Sequence, residues 1–261
     1  MNTIEMKRRI GSAKDLDFGT IFNQSIELFK KVWVQGLVVL LLGMVLAMPI
    51  GMLVYIPLIF SGFMDFYSST YDPYSSAQPE IGAMFFVSMG FVYLILILGM
   101  SIITLGLNAA FYRICKIKDL EQMGSEDYFY FFKKPYLGKT IKLGLVFGGI
   151  LLLSFMLCFF PIIYVSVPLV FLVTIYAFNP DMAISDMVKM AFDLGNKKWF
   201  VSFGLIFVSG FLAFVVGFFM CFVGMYVTRS FSYLPVYFIY KEVIGFNDED
   251  GLPKIEENTR F

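Results

Sequence analysis

Arg229, in MYVTRSFSYLPVYFIY, is the one charged side chain embedded in an apolar stretch of this 261-residue chain. Its planar fork of donors could grip a phosphate or several backbone carbonyls inside a helical bundle. Its long stem could equally carry the charge out to headgroups, because Gly224 and an expected reversal lie five residues away. Beside it stand three lysine pairs, each followed within two residues by an aromatic ring. They are Lys30 and Lys31 with Trp33, Lys133 and Lys134 with Tyr136, and Lys197 and Lys198 with Trp199. Ammonium groups and indole rings sit well at the headgroup level. Arg229 and the residues of these clusters, Lys30, Lys31, Trp33, Lys133, Lys134, Lys197, Lys198 and Trp199, are the expected lipid or anion contacts.

Catalysis of the usual kinds finds little to work with. The chain has no histidine, and Cys115, Cys158 and Cys221 are scattered without a C-x-x-C, so a zinc site has no ligand set. Cys158 and Cys221 fall at comparable depths of two hairpins, where a disulfide or two packing thiols both fit. Ser154, Ser209 and Thr104 carry hydroxyls, but no histidine or mid-span lysine could serve as their base. Every carboxylate lies outside the apolar stretches, and Asp65, Asp72 and Glu80 in the expected outer loop are too sparse for calcium. Proton-coupled transport and intramembrane hydrolysis usually need ionisable groups at depth. The expectation is a non-enzymatic protein without cofactor or metal.

The elements that must carry these residues follow from composition. With 59% hydrophobic residues, 15% charged and a mean hydropathy of +0.77, the chain departs far from soluble domains. It reads as all-α, a polytopic membrane bundle. Apolar runs long enough to cross hydrocarbon occupy 34–60 and 83–112, and double-length blocks at 143–178 and 199–240 must fold back. Pro161 and Gly224 sit near the middles of those blocks, where a missing amide or a positive φ would permit the reversal. This predicts six transmembrane helices in three hairpins.

Charge tests that count. Nineteen of the twenty basic residues lie in the segment up to Lys31, in 113–142, in 180–198 and in 241–261, while 59–82 has none. Lysine and arginine are retained on the cytoplasmic side of short loops, so both termini are expected to be cytoplasmic and 62–80 external. The first 33 residues lack the charged start, short apolar core and cleavage site of a signal peptide. The expected location is therefore a cell inner membrane, multi-pass. Net charge is zero, and no basic face suggests nucleic acid.

Each lysine cluster closes a polar segment and opens an apolar one. PDMAISDMVKMAFDLG (180–195) has apolar residues at Ile184, Met187, Val188, Ala191 and Leu194, the spacing of an amphipathic helix. Asn179 is the expected cap, Pro180 the first helical residue and Gly195 the stop. DFGTIFNQSIELF (17–29) has the same character, and SEDYFYFF (125–132) is a shorter aromatic version. Each is expected to lie in the cytoplasmic interface before the chain turns into the bilayer. CFFPIIYV at 158 and CFVGMYV at 221 are 63 residues apart, which suggests an internal repeat. The chain is thus read as a single membrane domain, 1–261, of three units at about 15–113, 114–178 and 179–243, with a polar cytoplasmic tail, 244–261. Glycines 210, 217 and 224 at seven-residue spacing, and Gly144 with Gly148, predict close helix seams within the chain or, as the alternative, a homo-oligomer face.

The stretch VFLVTIYAFNPDMAISDMVKMAFDLGNKKWFVSFGLIFVSGF resembles the central part of an uncharacterised bacterial multi-pass membrane family, a domain of unknown function. That family is related to the membrane domain attached to some glycerophosphodiester phosphodiesterases. Tyr176, Asn179, Asp181, Ser185, Gly195, Asn196, Lys197, Trp199 and Phe200 carry the likeness, which covers about 60 residues. It implies a multi-helix membrane protein without established activity; no phosphodiesterase domain is present.

The leading expectation is an inner-membrane protein serving envelope homeostasis by binding membrane lipids or an envelope protein partner. A passive carrier or channel for an apolar or amphipathic solute is the second, and a lipid-modifying enzyme the third. A dry, packed centre would favour the first and an open cavity through the bundle the second.

Overall fold

The computed structural model describes residues 3–71, 83–157, 160–220 and 223–246. Asp17 begins its longest element. Its carboxylate accepts hydrogen bonds from the Thr20 amide at 2.7 Å and the Thr20 hydroxyl at 2.6 Å, which caps helix α2, Phe18–Tyr71. Those two bonds, the hydroxyl first, hold the Asp17 carboxyl below its ordinary pKa.

Helix α2 corrects one expectation. No hinge occurs at residues 30–33, and the amphipathic segment and the first span form one uninterrupted helix. The reason is visible in its buried side: Ile21, Ser25, Leu28, Val32, Gly36 and Val39 continue one helical stripe straight through the lysine pair. Glu27 and Lys30, three apart and 2.6 Å from each other, add local support. The helix also runs on through 61–71, which had been expected to be outer loop, and Asp72, Glu80 and the rest of 72–82 lie outside the described residues.

Before α2 the chain forms a short helix, α1 (Thr3–Gly11), not foreseen in the polar N-terminal segment. After it come α3 (Ala83–Asp119), a 3-10 turn at Tyr130–Phe132, α4 (Lys134–Met156), α5 (Phe160–Phe178), α6 (Ile184–Lys197) and α7 (Trp199–Phe219). The chain then passes through α8 (Val223–Thr228), a second 3-10 turn (Arg229–Tyr233) and α9 (Leu234–Val243). The described residues are helical with no strand. Among the described residues, five helices are long and apolar enough to cross a membrane: Phe18–Leu53, Met89–Asp119, Lys134–Met156, Pro161–Phe178 and Trp199–Phe219.

The sixth expected span is the exception, since none of its three pieces is long enough alone. Pro235 sits in the first turn of α9, where it supplies no amide to continue the preceding turn as α-helix. The segment before it, Arg229–Tyr233, is the 3-10 turn. The aromatic stretch 125–132 likewise forms only a 3-10 turn, not an α-helix.

Two glycines act otherwise than expected. Gly195 does not stop α6, which continues to Lys197 and begins at Ile184, four residues after Pro180. A Cβ there would lie 2.8 Å from Cγ and 3.0 Å from Cα of Pro168 on α5, so Gly195 is where two backbones meet. Gly224 lies within α8, and among the described residues only Glu121 and Gly245 have positive φ. Its neighbour is Gly217, whose Cα would be 3.0 Å from a Cβ at Gly224. Pro161 is the second residue of α5, a position where its missing amide is harmless. The reversals themselves, with Cys158 and Cys221, fall outside the described residues.

These seams build the bundle. Gly144 and Gly148 of α4 press on Ile102 and Ser101 of α3, and Gly217 of α7 presses on Met225 of α8. The small-residue stripes are therefore covered within the chain. At the centre is α5, of whose most apolar window 67% is buried, against 11–28% for the other four spans. Val167, Leu172, Ile175 and Tyr176 are within 1% of full burial.

One end of the bundle collects the charges. Lys31 pairs with Glu121 at 3.0 Å, Lys118 with Glu126 at 2.6 Å and Lys241 with Asp119 at 2.5 Å. Helix α6 lies at this end. Its apolar side, Met187, Met190, Ala191 and Leu194, is buried against α5 and α1, and Met6 and Ile10 of α1 are buried in the same cluster. That face is thus covered by protein and is not available to lipid.

Candidate functional site

The 3-10 turn that carries Arg229 is held against α2 by a missing side chain. A Cβ at Gly36 would fall 2.3 Å from Ser230, so Ser230 occupies that space and is itself buried. Phe231 adds edge-to-face contacts with Phe22 and Phe29, with ring centroids 5.8 and 5.5 Å away. Thr228, just before the turn, donates its hydroxyl to carbonyls of Ala213 (2.7 Å) or Gly224 (2.9 Å), tying the turn to α7.

Between α2, α3 and this turn is a cavity of about 200 Å³. Val39, Leu107 and Phe111 form its buried wall, while Met44, Met100 and Arg229 are exposed and form its rim. The cavity is therefore a groove open at the side of the bundle. Thr104, Asn108, Ser230 and Tyr233 give it a polar patch, and among the described residues no carboxylate lines it. Its extent can be placed from Lys31, which marks the charged end. Gly36 lies about 8 Å and Ala47 about 24 Å farther along α2, at 1.5 Å per residue. The groove thus occupies the depth of the spans.

Arg229 makes no hydrogen bond or ion pair within the described residues. It stands exposed at the rim of the groove between two long helices.

The lysine clusters do not converge on it. Lys30 is exposed and pairs with Glu27, Lys31 with Glu121, and Trp33 is 41% exposed on the side of α2. Lys133 pairs with Asp127, and Lys134 is exposed at the start of α4. Lys197 donates to the carbonyl of Gly11, and Lys198, only 8% exposed, to that of Lys14 at 2.7 Å. Both thereby hold the link between α1 and α2. Trp199 stacks on Phe203, at 4.8 Å between centroids, and donates its indole N–H to Tyr164. Asn179, expected as a cap, instead donates its side-chain amide to the Tyr240 hydroxyl at 2.7 Å.

Asn108 and Tyr233 were not singled out in the sequence. The signal for Asn108 was present, as a lone amide in the apolar run TLGLNAAF. Of the hydroxyls weighed as nucleophiles, Ser154 donates to the Ile150 carbonyl at 2.8 Å, Thr104 lines the groove, and Ser209 is buried on α7 with its Oγ unpartnered among the described residues. Among the described residues no cluster of carboxylates and cysteines could hold a metal ion.

Taken together, these features define an all-helical, membrane-embedded bundle with a lateral groove. No family model, curated protein or solved structure matches the chain.

Proposed function

We propose that this is a non-enzymatic protein of a bacterial inner membrane that holds an anionic lipid in the α2–α3 groove, with Arg229 at the headgroup. The observation that carries the reading is an exposed arginine lining an apolar, acid-free groove at the depth of the spans, with no partner in the described chain. An arginine near the middle of a membrane helix costs about 2.5–3.5 kcal/mol. An anionic group in the same groove offsets that cost, and the hydroxyls and amide of Thr104, Asn108 and Tyr233 supply further hydrogen bonds. At about 200 Å³ the groove is smaller than pockets that enclose a drug-sized ligand. It suits a headgroup and the first part of a chain, with the remainder lying in the bilayer.

The buried α5 weighs against a passive carrier, which needs space along the bundle axis. The reading includes six crossings, with the last one broken at Arg229–Tyr233, and a charged end facing the cytoplasm. Ser68→Cys should then react with an impermeant thiol reagent in spheroplasts, whereas Ser125→Cys should not. An envelope protein partner and self-association remain compatible with it.

Thermal stability in detergent, with and without added anionic lipid, tests the site. The lipid should stabilise the wild type, and Arg229→Lys should lose most of that gain because an ammonium cannot reproduce the planar fork. Lipid analysis of the purified protein should show an anionic species depleted in Arg229→Gln. Equal stabilisation of wild type and both variants would remove the groove as a lipid site.

A further inference from the structure

A second cavity, of about 240 Å³, lies at the charged end between α3, the loop 122–127 and the first 3-10 turn. We propose that it binds a phosphate-bearing group through Arg113, independently of the Arg229 groove. Arg113 sits on α3 six residues before Asp119, about 9 Å from the end of the helix. Its guanidinium carbon lies 3.8 Å from the centroid of the Tyr130 ring. Tyr130 is itself braced by stacking on Tyr136, with centroids 5.0 Å apart, and by a 3.2 Å hydroxyl contact with it. Stacking occupies the flat face of a guanidinium and leaves its edge donors available, in a fixed plane, for a bidentate acceptor.

The other charges around the cavity do not neutralise Arg113. Asp127 is the carboxylate of the lining, and it is bound to Lys133. Glu126, on the same loop, is bound to Lys118 and Gln35. Arg113 itself makes no ion pair or hydrogen bond within the described residues. Gln122 and Ser125 form the loop wall of the cavity and can add hydrogen bonds to phosphate oxygens.

The loop that supplies this wall is held in shape. Just past the end of α3, Glu121 takes φ 50°, the left-handed conformation usual after a helix, and the Gln122 amide donates back to the Ile117 carbonyl at 3.0 Å. The Lys118–Glu126–Gln35 contacts then pin the loop to both α3 and α2. A preformed wall, an oriented guanidinium and a surplus of positive charge are the requirements for a phosphate site. Such a phosphate could belong to a lipid headgroup or to a soluble solute.

The two sources can be separated with the full chain. In neutral detergent at constant ionic strength, melting is followed against inorganic pyrophosphate, with chloride as the control. In nanodiscs, melting is compared between phosphatidylcholine alone and phosphatidylcholine with phosphatidic acid. A shift with pyrophosphate assigns a soluble phosphate, and a shift only with phosphatidic acid assigns a headgroup. In the pyrophosphate arm, Arg113→Gln should weaken the apparent affinity at least tenfold and Arg113→Lys should give an intermediate loss; in the nanodisc arm, where the groove also takes anionic lipid, the same comparison is made in an Arg229→Gln background, and Arg113→Gln should remove the shift that remains there. The Arg229→Gln background separates this site from the groove. No shift in either arm, an equal shift with chloride, or equal shifts for wild type and both Arg113 variants would overturn the proposal.

Discussion

The indole Nε1 of Trp199 donates a 3.1 Å hydrogen bond to the backbone carbonyl of Tyr164. That carbonyl is the acceptor Pro168 leaves unused, since residue 168 has no amide to return to position 164. Helix α7 thus repairs a defect in α5, and the ring expected to anchor in headgroups serves a joint between helices. Trp199→Phe should lower stability by about 0.6–1.7 kcal/mol, the range for hydrogen bonds between membrane helices. In a Pro168→Ala background the residue 168 amide can bond Tyr164 directly, so the same substitution should then cost much less. Thermal melts of the four proteins make the cycle; equal costs in both backgrounds would contradict the pairing.

The glycine seams can be ranked from the space around them. An added Cβ at Gly217 would lie 2.6 Å from the backbone N and Cα of Met225, whereas at Gly210 its nearest neighbour is the Ser232 hydroxyl at 3.5 Å. Gly217→Ala should destabilise by about 1–3 kcal/mol through overpacking against backbone that cannot move aside. Gly210→Ala should be neutral or stabilise by up to about 1 kcal/mol. Melting temperatures in one detergent decide the order.

Lys198 is buried against the link between α1 and α2, so its loss should free that link and leave α6 in place. Lys198→Ala is expected to accelerate tryptic cleavage after Lys14 several-fold. Cleavage after Lys189 on α6 should be unchanged, because Met187, Met190 and Leu194 stay buried. Lys30→Ala, which removes an exposed pair, is the control and should change neither.

Glu126 supplies a pH dependence. The hydrogen bond from Lys118, with a further one from Gln35, holds its carboxyl below the ordinary value of 4.5. A group depressed on folding stabilises above its unfolded pKa and loses that contribution as pH falls through the folded value. The stability gap between wild type and Glu126→Gln should therefore be full near neutrality and shrink below about pH 4.5. A gap that stays constant down to pH 3 would show that the charge contributes nothing there.

Much of the architecture was legible along the chain because it depends on local pattern. Apolar runs of membrane length, the lysine pairs at their ends, the amphipathic period of 184–194 and the small-residue spacings of α4 and α7 are all statements about neighbours on one helix. Other features required the tertiary structure. In a bilayer every span is apolar, so hydropathy cannot separate α5, which fills the centre, from α2, which faces outward along most of its length. The Lys30–Trp33 and Lys197–Trp199 clusters have nearly the same composition, yet the first lies inside a continuous helix and the second at a real joint. The difference is the unbroken buried stripe of α2 and the partners that Gly11, Lys14 and Tyr164 offer to the second. Arg229 was conspicuous from the start, but its place beside α2 depended on Gly36, nearly two hundred residues earlier, leaving room for Ser230. A contact between residues so distant in sequence has no trace in local periodicity, and only the packing of the turn on α2 placed that arginine at the rim of the groove.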